Sequence, residues 1–252
     1  SDMAGILPYS YWKIAVLLRI YAMFKVRKLL SLIVLFGANA ANSETVAVIG
    51  TGNVGMAIGT EMAGLGHEVI YGSRSPLSLK TMELVTETGK NAKAALPAEA
   101  AADADVIVLA VPGMVTEEVA GGLGDLSGKL IIDATNPLVF EGEAPSVSYG
   151  VATSNGQIVQ SLHPDASVVK AFNTLSWQRM IDPGRPKPVM PLAGNDAAAK
   201  SRVAEWVHQM GIDTVDIGGI EHSRVTEQIV VLMLNNRFAD GPKYAIDFRK
   251  VE

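Results

Sequence analysis

The chain of 252 residues contains no cysteine. Disulfides, thiolate nucleophiles, cysteine-ligated zinc and iron–sulfur centres are therefore excluded, and the redox compartment stays open. Histidine is sparse as well. His67, His163, His208 and His222 stand at no spacing suited to holding one metal, and no metal site is expected. No uninterrupted apolar run reaches the ~18–20 residues that a membrane-spanning helix needs. The most apolar stretch, 11–36, is broken by Lys13, Arg19, Lys25, Arg27 and Lys28. Gly-x-Ser-x-Gly is missing too, so no serine nucleophile declares itself.

What is present is a globular composition, 48% apolar and 19% charged. The formal charge of −5 is unevenly divided. Residues 1–43 carry five Lys/Arg against one Asp, a net +4, which leaves −9 for the rest. An acidic body is a poor surface for nucleic acid, and none is expected as a partner.

Residues 45–55 read Thr-Val-Ala-Val-Ile-Gly-Thr-Gly-Asn-Val-Gly, an apolar strand running into G-x-G-x-x-G and then a small-residue helix. In that context each glycine has a physical task. Gly50 permits the tight turn, Gly52 lets a pyrophosphate approach the backbone, and Gly55 lets the helix pack on the strand. Thr51, Asn53 and Val54 complete the loop, whose amides would face phosphate at the helix N-terminus. The next strand, His67–Gly72, ends in Ser73 and Arg74. NAD-selective sites place a carboxylate there to bind the ribose 2′-hydroxyl. A hydroxyl and a guanidinium suit a 2′-phosphate instead, so NADP is the expected cofactor.

Helix and strand signals alternate beyond this unit: helix 77–88, short helix 97–104, strand 105–111, helix 114–122, strand 129–133, strand 167–172. A polar Gly/Ser/Pro stretch, about 138–156, is expected to cross the surface as a loop. Such alternation predicts a Rossmann-type doubly wound parallel sheet. The proline-rich segment 182–188 suggests a boundary, giving an NADP-binding domain over 44–184 and a small C-terminal α/β domain over 185–252. The latter holds strand 189–193, helix 196–210, strand 214–217 and helix 223–238. Ser1-Asp2-Met3 has the look of a vector remnant. Residues 1–43 admit three readings: a signal peptide with Lys25–Lys28, Leu29–Gly37 and Ala38-Asn-Ala40 as its parts, a helical arm packing on a second subunit, or a membrane-surface segment.

Six stretches together resemble the NADPH-dependent reductases of the deazaflavin coenzyme F420 and the oxidoreductase domain of the STEAP ferric reductases. They are Gly50–Gly55, Gly72-Ser-Arg74, Leu109-Ala-Val-Pro112, Asp133-Ala-Thr-Asn-Pro-Leu138, Val169–Thr174 and Ala193-Gly-Asn-Asp196. The resemblance implies a pyrophosphate loop at Thr51, Asn53 and Val54 and a 2′-phosphate clamp at Ser73 and Arg74. It places Ala110, Val111 and Pro112 beside the nicotinamide ribose, and Asn136 and Asn173 at the ligand crevice. One departure stands out. Some F420 reductases carry a histidine where this chain has Asn173, and the asparagine form is closer to the ferric-reductase domains, which use an ordinary flavin. The second redox partner is thus F420, FMN or FAD.

The implied activity is hydride transfer between NADPH and that ring. Such chemistry asks for stacked cofactors rather than a protein acid, base or nucleophile, and no catalytic side chain is expected. Pro112, Asn173 and Trp177 are candidates for the stacking surface. A cytoplasmic homodimer is expected, with export or membrane association as the alternative if residues 1–43 act as a leader or anchor. Two other functions stay open: an imine or carbonyl dehydrogenase, and a non-catalytic NADP-sensing module. The segment after residue 185 is short for the all-helical dimerisation domain of such dehydrogenases.

Overall fold

The computed structural model describes residues 43–89, 91–140, 145–238 and 248, so the expectations for residues 1–42 lie outside the described residues. The first half alternates β1 (Thr45–Ile49), α1 (Asn53–Gly64), β2 (Glu68–Gly72), α2 (Leu79–Thr88), β3 (Ala92–Ala95), α3 (Pro97–Ala102) and β4 (Val106–Leu109). A 3₁₀ turn, Gly113–Val115, leads into α4 (Thr116–Gly121) and β5 (Leu130–Asp133). There follow a two-stranded hairpin of β6 (Leu138–Val139) and β7 (Ser146–Val147), α5 (Asn155–Leu162), β8 (Ser167–Lys170) and α6 (Trp177–Ile181). β9 (Val189–Gly194), α7 (Ala197–Gln209), β10 (Asp213–Asp216), a 3₁₀ turn at Ile220–His222 and α8 (Ser223–Phe238) complete the described elements.

Eight strands form one sheet in the order β10-β9-β8-β5-β4-β1-β2-β3. Every neighbouring pair is parallel except β8 and β9, which are antiparallel. Val46–Ile49, Val106–Leu109 and Ile131–Ile132 are almost wholly buried on both faces. Continuous apolar strands of this kind belong to parallel sheets covered by helices on either side. The chain winds outward through β2 and β3, then crosses back to β4 on the other side of β1. That reversal, between β1 and β4, opens a crevice at the carboxyl ends of the strands. α1 packs there because its inner face is nearly bare: a Cβ at Gly59 would overlap the Tyr71 hydroxyl.

The sheet-forming pattern is the expected one, with three differences. β3, α5 and α6 add elements where none was read, and the 138–156 stretch holds the β6–β7 hairpin and the start of α5 rather than loop alone. The third concerns the proline-rich segment. β9 begins just after it and pairs with β8, and β10 pairs with β9, so both strands extend the same sheet.

Candidate functional site

At the β1–β4 reversal lies a cleft of about 540 Å³. Gly50, Thr51, Gly52, Ser73, Arg74, Ala110, Val111 and Pro112 all line it. Its floor is tight. The Gly50 amide donates to the Gly72 carbonyl (3.1 Å) and Ala110 N donates to the Ile49 carbonyl (2.9 Å), which draws three strand ends together. Gly50 has φ +120°, and a Cβ there would overlap the Ala110 carbonyl. A Cβ at Gly55 would overlap the Gly50 carbonyl and stand 3.3 Å from Val48 Cγ1. By contrast, a Cβ at Gly52 would meet nothing within 4 Å. Space above Gly52 is therefore open, and it adjoins the N-terminus of α1. Gly52 is the N-cap of that helix and supplies no side-chain cap, so the first amides keep their donors for an outside acceptor. Asn53 is exposed at this end, while Val54 packs against the core.

The end of β2 is a hydroxyl network. Ser73 Oγ lies 3.2 Å from Thr81 Oγ1 and accepts from the Ser75 amide at 3.1 Å. Thr81 Oγ1 donates to the Ser75 carbonyl and shares a 2.9 Å bond with Ser78 Oγ, the N-cap of α2. These bonds fix the turn from which Arg74 projects, exposed, into the cleft. Lys80, also exposed, lines the same wall and brings a second cation. Lys80 was missed in the sequence because it reads as a solvated helix residue; its one signal is its place in the first turn after a serine cap.

Asn136 and Asn173 meet at the ends of β5 and β8. Asn136 Nδ2 donates to the Asn173 carbonyl at 3.0 Å, and Asn173 Nδ2 donates to Asn136 Oδ1 at 3.0 Å. Asn173 Oδ1 is buried and has no hydrogen-bond partner among the described residues. The residue before it, Phe172, is buried at φ +64°, a strained backbone for a non-glycine residue. Gly113 supports this corner, since a Cβ there would overlap the Asn136 carbonyl. Trp177 packs against the core from the start of α6, which lies on α1; like Asn136 and Asn173, it is not among the residues that line the cleft.

Directly behind the two asparagines is a cluster of fully buried charge. Lys170 Nζ donates to Asp133 Oδ2 (2.8 Å), the Thr135 carbonyl (2.6 Å) and Glu227 Oε1 (2.7 Å). Burial alone would lower the Lys170 pKa, but the Asp133 and Glu227 carboxylates outweigh it and hold the ammonium above its ordinary value. Asn155 joins the cluster, its amide donating to Glu227 Oε1 and its Nδ2 to Gly113 O, Thr116 Oγ1 and Thr135 Oγ1. None of this was legible beforehand, because Lys170 and Glu227 are 57 residues apart.

Comparison with known proteins bears on the family and the fold. The family model described as "NADP oxidoreductase coenzyme F420-dependent" matches residues 45–137. The F420-dependent NADP reductase of Methanothermobacter marburgensis is 30% identical over 207 residues, covering 75% of this chain and 91% of that protein. Rat metalloreductase STEAP3 is 28% identical over 190 residues, but the chain spans only 37% of its length. A solved structure from Arthrobacter sp. FB24, described as an F420-dependent NADP-reductase, superposes with a TM-score of 0.72 at 32% identity, covering 77% of this chain and 93% of that one. The chain belongs to the family of coenzyme F420-dependent NADP oxidoreductases.

Proposed function

We propose that the cleft binds NADP(H) and that the chain passes hydride between it and a deazaflavin of the F420 type. The observation that carries the reading is the pairing of an uncapped α1 N-terminus with Arg74 and Lys80 at the end of β2. The first suits a pyrophosphate; the second suits a 2′-phosphate and would be wasted on a bare ribose. Past the cleft, at the ends of β5 and β8, the orphaned Asn173 Oδ1 is an acceptor suited to a carboxamide N–H.

When bound, the nicotinamide supplies a hydride and its redox equivalents. The chain's own residues bind, orient and exclude water. Amides of residues 53–55 and the open space over Gly52 would seat the pyrophosphate. Ser73, held by Thr81, would fix the orientation of the 2′-phosphate while Arg74 and Lys80 neutralise it. Ala110, Val111 and Pro112 offer an apolar edge that keeps water from the ribose. The Asn136–Asn173 pair orients the amide and so the ring. Met114 and Val115, on the 3₁₀ turn after β4 that packs on β6, and Phe140, the residue after β6, are exposed. That apolar rim is suited to the flat face of a tricyclic acceptor.

A second reading, with an ordinary flavin as acceptor, is favoured by Asn173 standing where some F420 reductases have histidine. Anaerobic oxidation of NADPH with F420, FMN, FAD and a ferric chelate in parallel separates the two. Fast turnover with F420 and slow turnover with the others is expected. Turnover with FMN or FAD alone establishes the second reading, and turnover with none leaves a sensing module.

A further inference from the structure

Asp133, Lys170 and Glu227 are each fully buried, and if all three were ionised their charges would sum to −1. An unbalanced charge in a dry interior is costly, and the usual outcome is that one group takes up or gives up a proton. The hydrogen bonds show which group is free to do so. Lys170 Nζ has three acceptors, which uses all three of its protons. Asp133 Oδ1 accepts from the Thr135 amide (2.9 Å) and hydroxyl (2.6 Å), and its Oδ2 accepts from Lys170, so both oxygens are needed as acceptors. Glu227 Oε1 is similarly engaged by Lys170 and the Asn155 amide, but Glu227 Oε2 is buried with no partner among the described residues. Asn155 Oδ1, on the residue whose amide reaches Glu227, is also buried without a donor. An empty oxygen on Glu227 is the place for the missing proton. Burial pushes this carboxyl above its ordinary range, against the downward pull of Lys170.

The surroundings leave few rivals. The elements packed most closely against α8 are β7, α5, β9 and the 220–222 turn. Among them only the turn carries charged or titratable side chains, Glu221 and His222, which face each other at the surface. Tyr149, after β7, and Glu117, on α4, act from farther out; the Tyr149 hydroxyl is pushed up by its own burial and by both glutamates.

The cluster also reaches the asparagine pair. Lys170 grips the carbonyl of Thr135, the residue before Asn136, and Asn136 in turn holds Asn173. The reduced nicotinamide is neutral and the oxidised ring is a cation, so the two place different fields on this corner. We propose that Glu227 holds a proton while NADPH occupies the crevice and releases it when NADP⁺ does, so that the buried cluster follows the redox state of the cofactor. This rests on the NADP(H) reading above. The balance is complete: two electrons and one hydrogen leave the nicotinamide as hydride for the acceptor, and the proton leaving Glu227 matches the one that a hydride-reduced deazaflavin must still collect. Glu227 is a positioning residue with a proton to exchange, and it does not touch the reacting atoms.

The test is equilibrium binding of NADP⁺ and NADPH from about pH 5 to 9, with proton release measured by calorimetry in buffers of differing ionisation enthalpy. Titration of the 2′-phosphate is common to both cofactors and cancels in their ratio. The ratio of the NADP⁺ to the NADPH dissociation constant should fall as pH rises, by about tenfold in total for a one-unit displacement of the Glu227 ionisation. NADP⁺ binding should release a larger fraction of a proton than NADPH binding. Glu227→Gln keeps the bonds to Oε1 and should flatten the ratio and abolish the difference in release. A flat ratio in the unsubstituted protein, or a pH-dependent ratio that survives in E227Q, overturns the inference. If E227Q does not fold, infrared difference spectra of the unsubstituted protein decide. A carboxylic-acid carbonyl band weaker with NADP⁺ than with NADPH supports the exchange, and equal bands overturn it. Failure of either cofactor to bind strikes the cofactor site itself and is thereby distinguishable.

Discussion

Asn136 and Asn173 hold one another across the ends of β5 and β8, each side-chain amide donating to the other residue at 3.0 Å. The pair consumes both donors that matter for its own geometry and leaves one buried acceptor, Asn173 Oδ1, without a partner. Such an orphan is costly unless a ligand satisfies it. Asn173→Ala should weaken NADPH by about tenfold, the ~1.4 kcal/mol of one hydrogen bond. It should leave 2′,5′-ADP, which lacks the nicotinamide, unchanged. Equal losses for the two ligands would detach Asn173 from the nicotinamide end.

The fingerprint glycines should separate binding from folding. Gly52 faces open space, so Gly52→Val should fold with a melting temperature within a few degrees of the parent while losing NADPH binding. Gly55 abuts the Gly50 carbonyl, so Gly55→Val must displace the loop or the helix and should lower the melting temperature sharply. Thermal unfolding and NADPH fluorescence titration read both. A folded Gly52→Val protein that binds NADPH normally would remove the pyrophosphate from this loop.

Cofactor choice should sit on Arg74 and Lys80. Arg74→Ala should raise the NADPH dissociation constant by roughly 10- to 100-fold, the usual ~1.5–3 kcal/mol of a charge-assisted pair. Lys80→Ala should raise it by a few-fold, since a flexible ammonium binds phosphate as a point charge without a bidentate fork. Neither change should move the NADH constant. A parallel loss for NADH would show that the two cations act on something common to both cofactors.

His67 predicts the acid limb of stability. Burial lowers its pKa below the ordinary 6.5; Glu44 pulls it up and Arg202 pushes it down. Its Nδ1 accepts from the Glu44 amide at 3.2 Å, a bond that protonation would break, and its ring meets Trp206 edge-on at 5.2 Å. Because the unfolded chain takes the proton first, the stability due to neutral His67 is complete above 6.5 and declines as pH falls from there towards the folded-state value. The aspartates with lowered pKa, such as Asp196 and Asp216, keep their full contribution above their ordinary 3.8 and lose it only as pH falls below that, outside this window. Glu227, with a raised pKa, has the opposite sign, so the difference between the parent and His67→Gln isolates the histidine. Denaturant unfolding at pH 7.5 and 5.5 should show a larger loss for the parent than for the variant.

What could be read from the chain follows distance along it. β1, the glycine loop, α1 and β2 follow one another between Thr45 and Gly72, and their glycines and apolar runs state their geometry locally. β3 escaped because Ala92-Lys-Ala-Ala95 has little strand propensity and becomes a strand only by pairing with β2 at the sheet edge. The β6–β7 hairpin escaped for a similar reason: two two-residue strands pair antiparallel within a stretch rich in Gly, Ser and Pro. Proline near 182–188 announced a break in secondary structure, but proline spacing carries no information on whether the next strand joins the previous sheet. Lys170 sat in an apolar run as an apparent misfit, and only the arrival of Glu227 from α8 shows why a charge is tolerated there.

Hydride transfer itself is tested most directly by isotope. NADPH deuterated at both C4 positions is incubated anaerobically with F420, and the reduced deazaflavin is examined by mass spectrometry and NMR. A carbon-bound deuterium does not wash out in water, so label found on the reduced ring reports transfer from the nicotinamide. Near-complete retention of one deuterium in the product, abolished in Gly52→Val, is predicted. Reduced F420 without label, or no oxidation of NADPH by F420 at all, would contradict it.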